Sequence, residues 1–283
     1  MKTMVLILLI GLALVAGCSD DPVRNDPDPQ EEAPALPSVG TMEFDVSFFD
    51  GISAPAAWKL ESPDPCPKAN WLNALVRVAV VNLIVNAGLT PPTVAFQAAT
   101  HTIPSYLGDL TWLWIYTWVD GAGREYQVRL TGEIADSAVE WEMRARSEDT
   151  IPVLDDALWF LGRSPIGYGE GYWILHDIAR VPSAAAVRID YEFAGDADRE
   201  LRFENILEGN EGFGDVLTYE AEGSLRMIEF HDASAGAECD ITWDEETGAG
   251  RLQCPDYGAG DPACWDEAQC DVDCPPAVAV ASW

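Results

Sequence analysis

Apolar and polar residues alternate with a period of two along much of the chain, most clearly from about residue 93 onward. Val187, Ile189 and Tyr191 alternate with Arg188 and Asp190, for example. This pattern is typical of a β-strand with one face buried and the other in water. Strands are predicted over residues 42–48, 93–101, 110–120, 124–132, 138–146, 168–177, 185–193, 199–207, 215–220, 224–231, 238–243 and 249–254.

Short turn sequences rich in Gly and Asp separate these segments, which favours hairpin connections. The fold predicted is mainly β: an antiparallel meander that forms a barrel or half-barrel, with a sandwich as the alternative. Residues 147–166 show no clear period, and residues 158–161 are interpreted as a short helix.

A single long helix is predicted over about residues 68–87, ended by Gly88 and the two prolines that follow. Its middle, residues 75–85, is apolar on nearly every side. Such a helix is either buried in protein or spans a membrane. Arg77 and several Asn residues argue against a bilayer span, so we expect the helix to pack against, or inside, a curved sheet.

One predicted strand is unusually aromatic. The side chains on one of its sides are Trp112, Trp114, Tyr116 and Trp118. The other side carries Leu113, Ile115 and Val119, so both sides need cover and the strand is expected to be central in the sheet. Packing against the helix is the commoner explanation of such a row. The alternative is a wall that binds an apolar ligand or stacks a sugar.

The first residues predict export. Lys2 is followed by an apolar run that is too short for a comfortable bilayer span and ends in Val15-Ala16-Gly17-Cys18. These four residues resemble the lipobox of bacterial lipoproteins. The resemblance implies that residues 1–17 are a signal peptide and that Cys18 carries the lipid that binds a bilayer. The alternative is an ordinary signal peptide with an incidental Cys.

By the same resemblance, Ser19 directly after the modified Cys favours the outer membrane as the final location. Residues 18–40 are rich in Pro, Asp and Glu, and we expect them to form a disordered, extended tether. The β domain is then assigned to residues 41–253, and a Cys-rich acidic tail to residues 254–283.

The charge of the chain excludes several partners. It has 16 Lys and Arg against 48 Asp and Glu, a net charge of −32. Removal of residues 1–17 takes away Lys2 and no acid, so the charge becomes −33 (15 basic minus 48 acidic residues). A chain this acidic is unsuited to nucleic acid, and an anionic membrane surface would repel it. The predicted partners are therefore the bilayer, through Cys18, and a small apolar ligand.

Cysteine usage agrees with an oxidising compartment. Apart from Cys18, the cysteines are Cys66, Cys239, Cys254, Cys264, Cys270 and Cys274. An even number in an exported chain indicates three disulfides, which could pair in about 15 ways. The pairing we favour has two bridges within the last four cysteines and a third from Cys66 to Cys239. A zinc site is the less favoured interpretation, because no Cys-x₂-Cys pair is present.

Signals for catalysis and for metals are weak. His176 and His231 each precede an Asp at the end of a predicted strand, and Ser164 lacks the glycine pattern of a nucleophile elbow. No catalytic residue and no cofactor is assigned, and a hydrolase that uses either His is kept as an alternative. The acids of the tail could bind calcium, but a solvated acidic surface explains them better. These acids are Asp266, Glu267, Asp271 and Asp273.

The order of elements, an early helix followed by a long antiparallel meander, is similar to that of periplasmic lipoprotein-carrier half-barrels. The resemblance implies a sheet wrapped around an apolar cavity that holds acyl chains, and it assigns no functional residue. We therefore expect an envelope lipoprotein that binds an apolar or lipid-like ligand without catalysis. The alternatives are a structural or surface-interaction lipoprotein with a filled core, and the hydrolase.

Overall fold

In a computed structural model, the chain is described over residues 32–42, 45–49, 66–167, 169–195 and 198–275. Contacts group Ala33–Trp283 as one compact unit. Within these ranges, the main elements are one α-helix, α1 (Ala69–Ala98), and one antiparallel sheet of fourteen strands. Each strand pairs with the strands before and after it in the sequence, so the sheet is a continuous meander.

The strands are β1 (Ser105–Gly108), β2 (Thr111–Val119), β3 (Glu125–Ala135), β4 (Ala138–Ser147), β5 (Leu154–Pro165), β6 (Gly169–Asp177), β7 (Ala184–Phe193), β8 (Arg199–Asn205), β9 (Val216–Glu222), β10 (Leu225–Asp232), β11 (Ala237–Asp244), β12 (Gly250–Gln253), β13 (Ala263–Trp265) and β14 (Asp271–Val272). Short 3₁₀ helices cover Val39–Thr41, Ser47–Phe49, Ala99–His101 and Gly258–Gly260. Within the described ranges β1 does not pair with β14, so the sheet stays open, as in a half-barrel. This confirms the predicted fold class.

The inner face of the sheet holds the core, and α1 crosses it. Thirty residues of α-helix span about 45 Å, long enough to reach across many strands. Near its end Phe96 is 1% exposed and contacts the rings of Trp141, Phe160 and Trp173, which belong to β4, β5 and β6. Near its start Asn70 Nδ2 donates to the β13 carbonyl of Cys264 at 2.8 Å.

The residues before α1 cover the later strands. Met42, Val46 and Phe49 are buried, and the Phe49 ring lies 5.0 Å from that of Trp243 on β11. Leu36 also packs against the core, although it falls in the predicted tether. Residues 19–31 of the predicted tether lie outside the described residues.

Four glycines on the inner face make room for aromatic rings. Each faces an aromatic residue on the neighbouring strand, and a Cβ on the glycine would come within 2.2–2.7 Å of that ring. The pairs are Gly132 with Trp141, Gly162 with Trp173, Gly171 with Tyr191 and Gly250 with Trp265. The rings can lie close to the backbone only because the opposing residue has no side chain.

The predicted end of the helix is wrong, and so is the strand predicted at residues 93–101. The helix passes through Pro91 and Pro92 and ends at Ala98. Proline usually interrupts a helix because it lacks the N–H and crowds the preceding turn. Here the last turns bury Phe96 completely among three rings, and this tertiary packing outweighs the local preference.

The interpretation of residues 158–161 as a helix is also wrong, because they belong to β5. A β-bulge explains the misleading pattern. Met143 pairs with Phe160 and Arg144 with Leu158, so Trp159 is the extra residue. Trp159 and Phe160 are consequently both buried, which breaks the alternation expected of a strand.

Two further strand predictions need correction. In its described part, the segment predicted as a strand at residues 42–48 contains no strand, and its last two residues belong to the 3₁₀ helix Ser47–Phe49. The aromatic strand, β2, lies next to the short edge strand β1 and is not central. Its second side is open, since Ile115 is 61% and Val119 54% exposed.

The disulfides differ from the favoured pairing. They join Cys66 to Cys270, Cys239 to Cys254, and Cys264 to Cys274. The Cys66–Cys239 bridge is therefore wrong, and only one bridge lies within the last four cysteines. The β11–β12 register explains the second bridge: Asp240 faces Gln253, which places the next residues out, Cys239 and Cys254, opposite each other.

Candidate functional site

The row of aromatic side chains on β2 faces the core. Trp112 is 2% and Trp114 3% exposed, and their rings contact Tyr106 and Trp141. Tyr116 donates its hydroxyl hydrogen to the α1 carbonyl of Ala95. Burial raises the pKa of Tyr116, so this hydroxyl remains a donor at any physiological pH.

Trp118 completes the row and is half-buried against Tyr126 and Trp159, at centroid distances of 5.1 and 5.7 Å. The four residues of the row line neither of the two apolar clefts described next. Their direct contact with a ligand stays a prediction.

A cleft of about 600 Å³ lies between the first half of α1 and strands β10 and β11. We call it the Val78 cleft. Its apolar lining is made by Val76, Val78, Ile228, Phe230, Ile241 and Pro255. Val78, Ile228 and Ile241 are at most 2% exposed and form its inner wall, whereas Val76 is largely exposed and lies toward solvent.

Local structure explains how these side chains come to share one space. Ile228 and Ile241 face each other in the β10–β11 register, so both point to the inner face. Val78 lies on α1, which is held near these strands by the bridge from Cys66 to Cys270 and by Asn70. The sequence signal was the helix segment that is apolar on every side, because such a helix has more apolar surface than one contact can cover.

Charged groups complete the lining of the Val78 cleft. They are Arg77, Asp232, Glu238 and Asp256. Arg77 Nη2 forms an ion pair of 2.8 Å with Asp256, its Nη1 donates to Asn73, and its guanidinium lies 5.7 Å from the ring centre of Tyr257. Hydrogen bonding to Arg77 lowers the pKa of Asp256. Arg77, the one cation among the described residues that line this cleft, therefore already has its partners.

The second cleft, of about 400 Å³, lies near the last third of α1, and we call it the Trp159 cleft. It is lined by Pro92 of α1 and by apolar residues that include Tyr126, Leu154, Trp159, Leu175 and Val187. Tyr126 and Trp159 stack at 5.4 Å, with Trp118 packed against both. Sequence reasoning selected Trp118 but missed these two rings, because the bulge in β5 hid the inward direction of Trp159.

His176 lines the Trp159 cleft. Burial and then the charge of Arg144 lower the pKa of His176, so the neutral imidazole predominates at neutral pH. Its Nδ1 is buried and has no hydrogen-bond partner among the described residues. A neutral imidazole with a free ring nitrogen can accept a hydrogen bond.

The predicted hydrolytic residues are not brought together. Ser164 is buried and its Oγ accepts a hydrogen bond of 2.8 Å from Trp141 Nε1. Its neighbour Arg163 pairs with Tyr172, four residues before His176, a distance of about 13 Å along the strand. His231 lies on β10, where its Nδ1 is 3.7 Å from Glu238.

The tail acids act within the protein. Asp271 accepts hydrogen bonds from the N–H groups of Ala69 and Asn70, and Asp266 accepts them from Ala268 and Cys270. Across the described residues, no three His, Cys, Asp or Glu side chains are placed to hold a metal ion. The six cysteines considered for zinc are all in disulfides. Cys18 lies outside the described residues.

In the described part of the chain, no helix combines the length and the apolar character needed to cross a bilayer. No protein-family model matches the chain, and no curated protein and no solved structure was found to be similar to it.

Proposed function

We propose that this protein is an exported bacterial lipoprotein, anchored through Cys18 in the outer membrane, whose half-barrel binds an apolar or lipid-like ligand in the Val78 cleft. The observation that supports binding is the cleft itself. Its volume of about 600 Å³ is within the range of sites for small molecules, roughly 300–1,000 Å³, and its inner wall is aliphatic. Support for the anchor comes from the sequence Val15-Ala16-Gly17-Cys18.

Binding in this cleft is tested with N-phenyl-1-naphthylamine, a neutral apolar fluorophore that brightens when it leaves water. The variant Ala237→Trp adds a large side chain to a half-buried lining residue without changing the inner wall. The matched control is Ala235→Trp, in the exposed turn two residues earlier. We expect the unmodified protein and the control to bind the fluorophore and raise its fluorescence. The Ala237→Trp variant should lose most of this increase.

Equal binding by all three proteins would place the ligand elsewhere and contradict the proposal. Absence of binding by the unmodified protein would favour the second candidate, a structural lipoprotein with a filled core. One observation supports that alternative: Trp112, Trp114 and Trp141 are buried in the half of the core near β2, where the rings of Trp114 and Trp141 pack against each other.

The anchor is tested separately by metabolic labelling with palmitate in a bacterial host. We expect the mature protein to carry label and the Cys18→Ala variant to carry none. A mature protein that is exported without label would show an ordinary signal peptide instead.

A further inference from the structure

We propose that the Val78 cleft selects cationic amphiphiles, molecules with an apolar chain and a positively charged head group, over anionic ones. This inference rests on the proposed function and names the ligand class of the same site. The positions of the charged side chains around the apolar wall support this selectivity.

The apolar wall and the acids occupy different depths of the cleft. The inner wall, Val78, Ile228 and Ile241, is almost completely buried. Two carboxylates are nearer to solvent: the side chain of Asp256 is 74% exposed, and Asp232 is half-buried. Glu238 also lines the cleft, but it alternates with Ala237 and Cys239, so its carboxylate points to the outer face, where it lies 3.7 Å from His231 Nδ1. A chain that fills the inner part therefore leaves its head group beside Asp232 and Asp256.

Two of the acids are held firmly in the charged form. The Ser234 hydroxyl and the Ala235 N–H donate to Asp232 Oδ1 at 2.7 and 2.9 Å and lower the pKa of Asp232. Arg77 does the same for Asp256. Among the described residues, the charged side chains that face the cleft are therefore these two acids and Arg77, and the ion pair of Arg77 with Asp256 leaves the charge of Asp232 in excess.

Arg77 is poorly placed to receive an anionic head group. Its two terminal nitrogens are engaged by Asn73 and Asp256, and Tyr257 lies against its guanidinium. An anion would have to displace Asp256 and then remain beside Asp232. Like charges brought together at a binding site weaken binding, whereas a cationic head group gains from the same field.

The field of the whole molecule points the same way. A net charge of −32 attracts cations and repels anions before contact, and this attraction is screened by salt within about 10 Å at 0.1 M ionic strength. The effect of the acids in the cleft on affinity must therefore be measured separately from the effect of the net charge.

The experiment measures the Kd of three ligands with the same ten-carbon chain by isothermal titration calorimetry below their micelle concentrations. They are decyltrimethylammonium, decyl maltoside and decanoate. We expect the cation to bind at least about ten-fold more tightly than the anion at low salt, with the neutral ligand between them, and the ratio to shrink in 0.5 M NaCl.

Two variants remove the same amount of charge. Asp232→Asn changes the cleft, and Glu208→Gln changes an exposed loop that does not line it. We expect the first variant to lower the ratio of cation to anion affinity several-fold and the second to leave it nearly unchanged.

The possible outcomes test the selectivity and the proposed apolar binding site separately. If decyl maltoside binds and decanoate binds as tightly as the cation, the selectivity is wrong while the apolar site stands. If both variants lower the ratio equally, Asp232 does not cause the selectivity and the inference is overturned. If no ten-carbon ligand binds, the proposed function fails, and the inference fails with it.

Discussion

At the scale of single residues, the inner face is organised by glycines that lie beneath aromatic rings. Gly162, for example, pairs with an aromatic residue on each neighbouring strand, Trp141 on β4 and Trp173 on β6. Protein interiors are packed as densely as organic crystals, so a single added methyl group there displaces its neighbours. This pairing explains how a sheet with so many large rings can still curve around α1.

The substitution Gly162→Ala tests this pairing. The new Cβ would lie 2.3 Å from Trp173 Cε3 and 2.4 Å from the backbone oxygen of Tyr172, and backbone cannot move aside as a flexible side chain can. We expect a loss of about 3 kcal/mol in the free energy of unfolding, measured with urea.

The control for Gly162→Ala is Gly121→Ala, because a Cβ added at Gly121 would have no heavy atom within 4 Å beyond its chain neighbours. This control should change the free energy of unfolding by less than about 0.5 kcal/mol. Equal stability of the two variants would show that the ring does not lie over Gly162.

At the scale of elements, the C-terminal tail holds the first turn of α1. The first N–H groups of a helix have no partner within the helix and need one from outside. Lys68, the residue before α1, provides no side-chain cap. Asp271 of β14 supplies it, with its two oxygens 3.0 and 2.9 Å from the N–H groups of Ala69 and Asn70.

The variant Asp271→Ala removes this cap, which comes from a residue about two hundred positions away in the sequence. We expect it to lower the free energy of unfolding by about 1 kcal/mol, as the loss of a local N-cap does. The control is Asp273→Ala, which removes the same charge from an exposed neighbour that makes no described contact with α1. A loss of similar size in both variants would attribute the effect to charge rather than to capping.

The disulfides join the same elements, and their pairing is directly measurable. Peptide mapping of the unreduced protein should recover the pairs Cys66–Cys270, Cys239–Cys254 and Cys264–Cys274. The second pair closes a loop of 15 residues, worth about 3 kcal/mol through its effect on the unfolded chain. A reduced and alkylated sample is the control, and a peptide joining Cys66 to Cys239 would contradict the β11–β12 register.

At the scale of the whole molecule, the excess of acid brings carboxylates close together on the later strands. Several arginines of the outer face have close carboxylate partners, such as Arg188 with Asp190 and Arg202 with Glu204. Glu200 and Glu220 instead face each other directly across β8 and β9. Like charges directly opposite in a sheet are destabilising.

Glu220 makes this repulsion testable through pH. Burial first, and then the charge of Glu200, raise the pKa of Glu220 above its ordinary value. The folded state therefore binds the proton more tightly than the unfolded state, so the contribution of this group to stability falls as pH rises from the ordinary to the raised pKa. At pH values above the raised pKa, the ionised Glu220 destabilises the folded state to its full extent.

We expect Glu220→Gln to raise Tm at pH 7.5 and to lose this advantage near pH 4, where the native glutamate is protonated in the fold. Thermal unfolding followed by circular dichroism at both pH values measures the difference. Glu208→Gln, at an exposed loop position, removes the same charge and should shift Tm less. An equal gain for both variants would show that net charge alone, and not the opposed pair, destabilises the sheet.

Much of the fold could be predicted because alternation is a local property. A strand such as β7 shows its buried face in the order of its own residues, whatever its neighbours are. The antiparallel meander followed from short turns, and the three disulfides from an even number of cysteines. The clefts could not be predicted in the same way, since the walls of the Val78 cleft come from α1 and from the hairpin of β10 and β11, which lie far from α1 in the sequence.

The sequence by itself determined which segments alternate, that one long helix packs against the sheet, and that six cysteines would pair. Only the tertiary structure decided where α1 ends, which cysteines meet, and which side of β2 is open to solvent. The physical reason is that each of the latter depends on what packs opposite a residue. Phe96 continues the helix beyond two prolines because three rings from other strands bury it, and no window of sequence around residue 96 contains those rings.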